Sequence, residues 1–333
     1  MSRQLAVKLF RFIKYLFLLA SSTLVPAADT VVDRLQKLDR DGDGRLSREE
    51  APKSIRKFKF DLADRNKDGF LDTRELKRLL DKLNEKKQRT AATPSEPVVP
   101  KAGKMRVVRD IVYQERGKAS KGQNKLDIYL PRDKTGFPVL FWIHGGGLHG
   151  GDKSKIAEVA ARFVAEEIGV VSANYRLYPE AKYPTQIEDV ADAFAWVHRN
   201  IVKHGGDPRK LFVAGGSAGG HLAALITLNE AFLKKHGLTG RAIRGAIPIS
   251  GLMDVSRVGA ARRVGVWGEK DSTHRIASPL YHARKDAPPL LLLYAEHDTP
   301  DRRQQNQMMF DALKKAGHPD VAIHELNDRT HNS

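Results

Sequence analysis

Residues 213–223 read VAGGSAGGHLA and place one serine, Ser217, among four glycines. An apolar, strand-like run, KLFVAGG, precedes the serine, and a helix-like run, AGGHLAALITLNEAFLKK, follows it. The pattern G-x-S-x-G, from Gly215 to Gly219, is typical of a sharp strand-to-helix turn, in which glycines remove side chains that would clash. Such a turn would place Ser217 at a helix N-terminus, where free N–H groups favour a developing negative charge.

Strand and helix signals alternate on both sides of this turn, from Met105 onward. Apolar strands separated by helices predict an α/β fold with a mostly parallel, doubly wound sheet. Ligands of such folds bind beyond the carboxyl ends of the strands. The predicted strands are 125–131, 138–145, 169–176, 210–216, 244–250, 288–298 and 321–326, and the predicted helices are 156–169, 187–201, 218–235 and 302–317.

A second glycine-rich stretch follows the predicted strand that contains Phe141–Ile143. It reads His144-Gly145-Gly146-Gly147 and is typical of the loop that forms the oxyanion hole of esterases and lipases, because glycines let backbone N–H groups approach a substrate oxygen. The stretch lacks both the G-x-x-x-x-G-K-[ST] pattern of a phosphate loop and the G-x-G-x-x-G fingerprint of dinucleotide-binding folds. HGGG and G-x-S-x-G in this order predict a serine hydrolase.

A serine hydrolase also needs an acid and a base, which in this fold follow the serine in that order. Asp298 follows the apolar run LLLLYAEH and is the predicted acid, with Asp254 and Asp271 as alternatives. His331 is the predicted base, because it lies in the stretch DRTHNS, predicted to be a loop beyond the last strand. Structural or surface roles are expected for the neighbouring carboxylates and the other histidines, namely Glu296, Asp301, His221, His297, His318 and His324.

Two segments nearer the start, 39–50 (DRDGDGRLSREE) and 64–75 (DRNKDGFLDTRE), have the spacing of EF-hand calcium loops. Short oxygen-bearing side chains at positions 1, 3 and 5 can converge on one hard cation, and a glutamate at position 12 can give two oxygens. Leu46 and Leu71 lie where paired loops need an apolar contact. The predicted calcium ligands are Asp39, Asp41, Asp43, Arg45 and Glu50 in the first loop, and Asp64, Asn66, Asp68, Phe70 and Glu75 in the second.

Only thirteen residues, Ala51 to Ala63, separate the two loops. A single helix there must leave the first loop and enter the second. The apolar core of such a pair is small, so we expect it to need calcium in order to fold. Because the chain is expected outside the cell, a structural or docking role for the metal is favoured over signalling.

The first 27 residues have the layout of a secretory signal peptide, with a basic start, an apolar stretch and the small-x-small sequence Val25-Pro26-Ala27. The apolar stretch is shorter than the roughly 20 residues that span a bilayer, so we expect export to the periplasm or beyond, without a membrane span in the mature chain. An uncleaved anchor is the alternative. The predicted domains are residues 29–84, an EF-hand pair, residues 85–104, an extended linker, and residues 105–333, the catalytic domain.

The chain contains no cysteine, which excludes disulfides, thiolate metal sites and a cysteine nucleophile. The formal net charge is +17, a value that can indicate a polyanionic partner. The basic residues are scattered in short pairs such as Lys234-Lys235, and no nucleic-acid motif accompanies them. A solvated basic surface is therefore expected, and no nucleic-acid partner.

Residues 105–333 resemble an α/β-hydrolase of the bacterial esterase and lipase group related to hormone-sensitive lipase, and more nearly its secreted, feruloyl-esterase-like branch. The motifs that carry the resemblance are WIHGGGLHGGDK, NYRLYPEAKYPTQIEDV, GGSAGGHLAAL, LLLYAEHD and DRTHNS. The resemblance implies Ser217 as nucleophile, Asp298 as acid and His331 as base. It also implies an oxyanion hole formed by the N–H groups of Gly146, Gly147 and Ala218, and a structural stretch that includes Tyr175, Arg176 and Pro179.

Members of that group usually continue past the base into a closing helix, whereas this sequence stops two residues after His331. Either a short natural end or an incomplete sequence is expected. The sequence as a whole predicts an exported serine esterase that acts on small-molecule or polysaccharide-linked esters, carries calcium in its EF-hands and needs no cofactor for the chemistry. The alternatives are a serine peptidase of the prolyl-oligopeptidase type and a non-catalytic, calcium-dependent binding protein.

Overall fold

The computed structural model describes residues 45–51, 60–64, 66–72, 75, 105–115 and 122–331. Described residues up to 75 belong to one compact unit, and those from 105 onward belong to another. The predicted signal peptide, the linker 85–104 and the predicted ligands Asp39, Asp41 and Asp43 lie outside the described residues, so these predictions stay predictions. No helix in the described ranges is long and apolar enough to cross a membrane.

The smaller unit contains two short strands, β1 (Leu46–Ser47) and β2 (Phe70–Leu71), and one helical turn, α1 (Phe60–Ala63). The strands pair in antiparallel fashion, with Leu46 opposite Leu71. Both leucine side chains are fully buried. The predicted apolar contact between the two loops is therefore present, and the two loops form one pair.

The larger unit alternates strands and helices, as predicted. Its strands are β3 (Met105–Val112), β4 (Lys125–Pro131), β5 (Phe137–Ile143), β6 (Gly169–Ala173), β7 (Gly206–Gly216), β8 (Ala246–Ile249), β9 (Leu290–His297) and β10 (Val321–Thr330). Its helices are α2 (Ala157–Ala165), α3 (Thr185–Asn200), α4 (Ala218–Leu228), α5 (Ala231–Lys234), α6 (Ala260–Trp267), α7 (Asp271–Ala277) and α8 (Pro300–Lys315). Short 3-10 turns lie at Lys153–Ile156, Ile201–His204, Gly240–Ala242, Val255–Arg257 and Pro279–His282.

The eight strands form one sheet in the order β10-β9-β8-β7-β5-β6-β4-β3. Neighbouring strands from β6 to β10 in that order are parallel, and only the pairings of β4 with β6 and with β3 are antiparallel. Parallel neighbours end at the same edge, so the residues that follow β5, β7, β8, β9 and β10 are brought together there. The predicted α/β fold with a mostly parallel sheet is confirmed.

Both faces of the sheet are covered, which explains why its strands are almost uniformly apolar. In β5, Val139, Phe141 and Ile143 pack with residues of α3 and α4, whereas Leu140 packs on the other face with residues of α2. The alternation of side chains along each strand thus divides one apolar run between two cores.

Three differences from the predicted elements have local causes. The predicted helix 218–235 is divided into α4 and α5, because the side chain of Asn229 accepts a hydrogen bond from the N–H of Ala231 between them. Residues 328–330, predicted as loop, belong to β10, whose register shifts after Leu326. Strand β3 and helices α6 and α7 carry short or weakly periodic patterns and were not predicted.

The turn between β7 and α4 is tightly packed around Ser217, whose backbone has φ 56° and ψ −116°. A methyl group on Gly215 would lie 2.5 Å from the carbonyl oxygen of Gly219, and one on Gly219 would lie 2.0 Å from the carbonyl oxygen of Ile143. By contrast, a methyl group on Gly216 would have no atom within 4 Å. The outer two glycines of the motif therefore provide the clearance, whereas Gly216 does not.

We expect Gly219→Ala to lower the unfolding temperature by about 2–10 °C, since overpacking of this size costs about 1–3 kcal/mol. Gly216→Ala, three residues earlier in the same turn, is the matched control and should change the unfolding temperature by less than about 1 °C. Differential scanning calorimetry of the two variants measures both values. Equal losses in the two variants would contradict the steric account of the turn.

Candidate active site

Three residues predicted to act together follow three strands at the same edge of the sheet. Ser217 follows β7, Asp298 follows β9, and His331 follows β10. His331 Nε2 lies 2.8 Å from Ser217 Oγ, and His331 Nδ1 lies 2.5 Å from Asp298 Oδ1. The structure thus joins the three predicted residues into one hydrogen-bonded series, although 114 positions separate Ser217 from His331.

The hydrogen bonds define the tautomer of the histidine. A carboxylate only accepts hydrogen bonds, so Nδ1–H of His331 donates to Asp298 and Nε2 is left to accept the hydroxyl proton of Ser217. The Asp298 side chain is fully buried, whereas about a third of the His331 side chain, 33%, is exposed. The arrangement therefore has a buried, fixed anion behind an imidazole that reaches solvent, which is the geometry of a general base beside a nucleophile.

The buried carboxylate of Asp298 is held by two further donors. Ser250, directly after β8, donates its hydroxyl proton to Asp298 Oδ2 at 2.5 Å, and the backbone N–H of Ala295 donates to the same oxygen at 3.0 Å. These bonds leave Oδ1 for His331 and fix the direction of the carboxylate. Sequence reasoning missed Ser250, although its place at the carboxyl end of a strand next to both β7 and β9 could have indicated it.

The predicted oxyanion hole lies where the glycine-rich loop meets the turn of Ser217. In the described part of the chain, the backbone N–H groups of Gly146, Gly147 and Ala218 donate to no protein acceptor. The loop approaches the turn so closely that a methyl group on Gly145 would lie 2.8 Å from the carbonyl oxygen of Gly216. The arrangement leaves three N–H groups beside the serine for a substrate oxygen.

The same loop is anchored at its carbonyl groups. The carbonyl oxygen of Gly147 accepts from Arg262 Nη2 at 2.8 Å and lies 2.8 Å from His149 Nδ1. The carbonyl oxygen of Gly146 accepts from the N–H groups of His149 and Gly150. These hydrogen bonds to the carbonyl oxygens hold the peptide groups of the loop in place, and with them the orientation of the loop N–H groups. Sequence reasoning missed Arg262, which no strand–loop pattern brings next to this loop.

A cavity of ≈ 370 Å³ opens directly onto the serine. Its volume lies within the usual range of small-molecule sites, roughly 300–1,000 Å³. Four of the eight lining residues are glycines, so backbone groups form part of the cavity wall. The lining residues are Gly145, Gly146, Gly147, Gly216, Ser217, Ile249, Ser250 and His331.

The stretch that the resemblance assigns to structure does support the loop. Tyr175 is fully buried, its ring stacks on the His144 ring at 4.3 Å between centroids, and its hydroxyl donates to the His144 carbonyl oxygen at 2.9 Å. Arg176 donates two guanidinium N–H groups to Asp189, at 2.8 Å and 2.7 Å. These contacts attach the start of the glycine-rich loop to helix α3.

The alternative acids do not reach the histidine. Asp254 is buried and caps a 3-10 turn, accepting from the N–H of Ser256, and Asp271 is fully exposed at the start of α7. Asp301 pairs with Arg257 on the surface. Glu296 accepts from the backbone N–H of Asp328. Among these carboxylates and Asp298, only Asp298 bonds to His331 in the described part of the chain.

The other histidines have local roles. His221, one turn after Ser217, is almost fully buried, and its Nδ1 bonds to the Leu252 carbonyl oxygen at 2.9 Å. Burial lowers the pKa of His221 to about 4, so this ring is neutral at pH 7 and serves packing. His318 is buried and bonds to backbone carbonyls, whereas His297 and His324 are exposed.

The second EF-hand loop has the geometry expected of its pattern. Gly69 has φ +85°, which permits the sharp turn at position 6, and its N–H donates to Asp64 Oδ2. Glu75 is buried, and its two carboxylate oxygens accept from the N–H groups of Asn66 and Asp72. The side chain at position 12 is therefore drawn back over the loop, as a bidentate ligand must be.

One carboxylate oxygen of the second loop, Asp64 Oδ1, lies where it could bind a cation. Asp64 is 9% exposed, and its Oδ1 is buried without a hydrogen-bond partner in the described part of the chain. The donor set of Asp64, Asn66, Asp68, Glu75 and the Phe70 carbonyl consists of oxygen ligands, which Ca²⁺ prefers. Within the described ranges, His, Cys, Asp and Glu side chains form no group of three or more that could hold a metal ion by themselves. In the first loop, Glu50 accepts from the N–H and the hydroxyl of Ser47, and Arg45 lies on the surface.

We expect Ser250→Ala to slow the hydrolysis of a 4-nitrophenyl ester about tenfold, because Asp298 loses a short bond and holds His331 less firmly. Ser172→Ala is the matched control, since Ser172 is equally buried in the sheet but its Oγ has no hydrogen-bond partner in the described part of the chain. Steady-state kinetics of both variants give kcat/KM. A Ser250→Ala rate equal to that of Ser172→Ala would show that the bond to Asp298 has no role in catalysis.

Both the N-terminal EF-hand segments and the larger unit of this chain match known protein families. Residues 31–50 and 59–80 match the family model of the EF hand, and residues 126–313 match the family model BD-FAE. A truncated form of a carbohydrate esterase from gut microbiota has the same fold, with a TM-score of 0.60 and 22% identity over 68% of this chain and 89% of that one.

Two proteins of Mycobacterium tuberculosis are similar in sequence. The probable carboxylic ester hydrolase LipM is 34% identical over 65% of this chain and 54% of its own length, and the esterase LipQ is 30% identical over 67% and 56%. The chain therefore spans about half the length of these relatives. Because the BD-FAE match covers more than half of the 333 residues, the predicted resemblance is confirmed, and the chain belongs to the BD-FAE family of α/β-hydrolases.

Proposed function

We propose that this chain is a carboxylic ester hydrolase that uses Ser217 as its nucleophile. The observation that carries the proposal is the hydrogen-bonded series from Asp298 through His331 to Ser217, which opens onto the cavity beside the glycine-rich loop. Family membership and the similarity to LipM and LipQ support the same reaction class.

In the proposed first step, Ser217 Oγ attacks the carbonyl carbon of the ester and its proton passes to His331 Nε2, 2.8 Å away. The negative charge develops on the former carbonyl oxygen, where the N–H groups of Gly146, Gly147 and Ala218 can receive it. The buried charge of Asp298 stabilises the imidazolium of His331. The imidazolium then protonates the leaving alcohol, and an acyl group stays on Ser217.

In the second step, water takes the place of the alcohol. His331 accepts a proton from the water while the water oxygen attacks the acyl carbon. The oxyanion of the second tetrahedral intermediate is bound by the same N–H groups. The carboxylic acid leaves as Ser217 regains its proton. These steps need only residues of this chain, water and the ester.

The two alternative functions have less support. A prolyl-oligopeptidase-type peptidase shares the fold and the three residues, but the HGGG loop is an esterase and lipase signature. A non-catalytic binding protein would not need the tautomer of His331 to be fixed by a buried carboxylate. The substrates we propose are small-molecule or polysaccharide-linked esters.

The wild-type chain should hydrolyse members of an ester panel that covers acetyl, butyryl, longer acyl and feruloyl groups, and it should leave an aminoacyl-proline anilide intact. We expect Ser217→Ala to lower kcat at least about a thousandfold, because the nucleophile is lost while the oxyanion site stays. Initial rates on the ester panel and on the anilide measure both the substrate preference of the wild-type chain and the loss of kcat in Ser217→Ala. Cleavage of the anilide alone would identify a peptidase, and no cleavage of any substrate would favour a binding protein.

We also propose that the chain is exported and that its EF-hand pair binds calcium with a structural or docking role. The layout of residues 1–27 supports export. The EF-hand match supports calcium binding, and so does the buried Oδ1 of Asp64, which has no hydrogen-bond partner among the described residues. In the second loop, Asp64, Asn66, Asp68, Glu75 and the Phe70 carbonyl would hold the ion.

Calcium at 100 times its Kd should stabilise the EF-hand unit by about 2.7 kcal/mol for each site that it fills, and should raise the unfolding temperature of that unit. Glu75→Gln should remove one of two calcium sites, since it replaces a bidentate carboxylate with a neutral amide. Glu49→Gln, at a loop position that supplies no ligand, is the control. Isothermal titration of the full chain counts the sites, and equal stoichiometry in wild type and Glu75→Gln would contradict the assignment.

A further inference from the structure

Two arginines near the proposed active site form no ion pair with a carboxylate in the described part of the chain. Arg262, on helix α6, donates Nη2 to the carbonyl oxygen of Gly147, a residue that lines the cavity. Arg302 lies in the first turn of α8, four residues after Asp298, and its Nη1 is buried without a hydrogen-bond partner in the described part of the chain. Neither guanidinium has an ion-pair partner among the described residues.

The carboxylates next to Arg302 already accept hydrogen bonds from other donors in the described part of the chain. Asp298 accepts from His331 at one oxygen, and from Ser250 and Ala295 at the other. Asp301 accepts from Arg257 at 2.6 Å and from Gln305 at 2.7 Å. A guanidinium carries five N–H donors, so both arginines keep donors that no described residue accepts from.

The arrangement places like charges close to one another in a partly buried setting. Burial lowers the pKa of Arg302 and the charge of Arg262 lowers it further, although the charges of Asp298 and Asp301 act in the opposite direction. The charges of both also reach His221, which lies one turn after Ser217 on α4. The nearby carboxylates therefore offset only part of the cost of burying two like charges, and a further anion between the arginines would offset more of it.

The anion would lie beside the reacting groups. Arg262 is fixed to the glycine-rich loop, and Arg302 is fixed to the turn that follows Asp298, so the two arginines flank the same edge of the sheet as Ser217. We propose that this arginine pair, Arg262 and Arg302, gives the enzyme a preference for esters that carry a carboxylate near the scissile bond. The inference rests on the proposed esterase function and defines the substrate class of that site.

Guanidinium groups suit this task, because their planar fork pairs with both oxygens of a carboxylate. The surplus of basic residues, with a net charge of +17, would also attract an acidic substrate from a distance. The long-range attraction of an acidic substrate depends on the net charge of the whole chain, whereas the short-range preference for a carboxylate depends on the two arginines. The two effects can therefore be separated by substitutions that change the net charge equally.

The test compares two pairs of esters that differ in one charge. The first pair is 4-acetoxybenzoate and 4-acetoxybenzamide, with the charge on the alcohol side, and the second is 4-nitrophenyl hydrogen adipate and 4-nitrophenyl hexanoate, with the charge on the acyl side. The measured quantity is selectivity, the ratio of kcat/KM for the acidic ester to that for its neutral partner. The variants are Arg302→Gln and Arg262→Gln. The control is Arg303→Gln, which removes one exposed charge from the same helix.

We expect wild type to prefer the acidic ester in at least one pair, and we expect Arg302→Gln and Arg262→Gln each to lower that selectivity about tenfold. Arg303→Gln should keep the wild-type selectivity. If Arg302 only maintains the charge of Asp298, and Arg262 only holds the loop, both esters of a pair will slow equally. Unchanged selectivity in both variants, or no acidic preference in either pair, would overturn the proposal.

Failure of this inference can be told apart from failure of the esterase function. Hydrolysis of the neutral esters without an acidic preference would leave the esterase and remove the arginine pair from specificity. No hydrolysis of any of the four esters, in a sample whose calorimetric transition is intact, would instead contradict the function on which the inference rests. Arg302→Lys and Arg262→Lys keep the positive charge and should retain part of the selectivity. They replace the glutamine variants in the test if a glutamine variant does not fold.

Discussion

The backbone of Ser217, held at φ 56° and ψ −116°, is the constraint on which the rest of the site depends. A non-glycine residue in such a conformation costs about 1–3 kcal/mol and persists only where its surroundings determine it. Here β7 is paired on both sides within the sheet, and every residue of α4 is buried. The packed sheet and helix thus hold the serine at the corner between them, where its Oγ meets the cavity and its neighbours contribute N–H groups.

The parallel sheet explains how distant residues meet at that corner. Ser217, Ser250, Asp298 and His331 each follow a strand, and the four strands lie side by side in the order β10-β9-β8-β7. The bonds that join Asp298 to Ser250 and to His331 connect neighbouring strand ends, whereas the bond between His331 and Ser217 spans the ends of β9 and β8. A change in the register of one strand would displace one member of the series from the others.

Much of this arrangement could be predicted from the sequence, because the motifs that carry it are local. G-x-S-x-G between a strand and a helix predicts the turn, and the spacing of the loops 39–50 and 64–75 predicts the EF-hand pair. Ser250, Arg262 and Arg302 could not be predicted in the same way, since their significance depends on contacts between segments remote in the chain. The apolar periodicity of residues 218–235 did not predict the division of the helix after Leu228. At that point the side chain of Asn229 accepts a hydrogen bond from the backbone N–H of Ala231, which is a local contact that the periodicity does not report.

The central claim is that Ser217 is an activated nucleophile, and covalent labelling with a fluorophosphonate measures this most directly. Intact mass followed by peptide mapping should give one adduct per chain, on Ser217, in a calcium-containing sample with an intact calorimetric transition. His331→Ala should label far more slowly, because the base that accepts the serine proton is gone. An unlabelled wild-type chain, or an adduct on a different residue, would contradict the account.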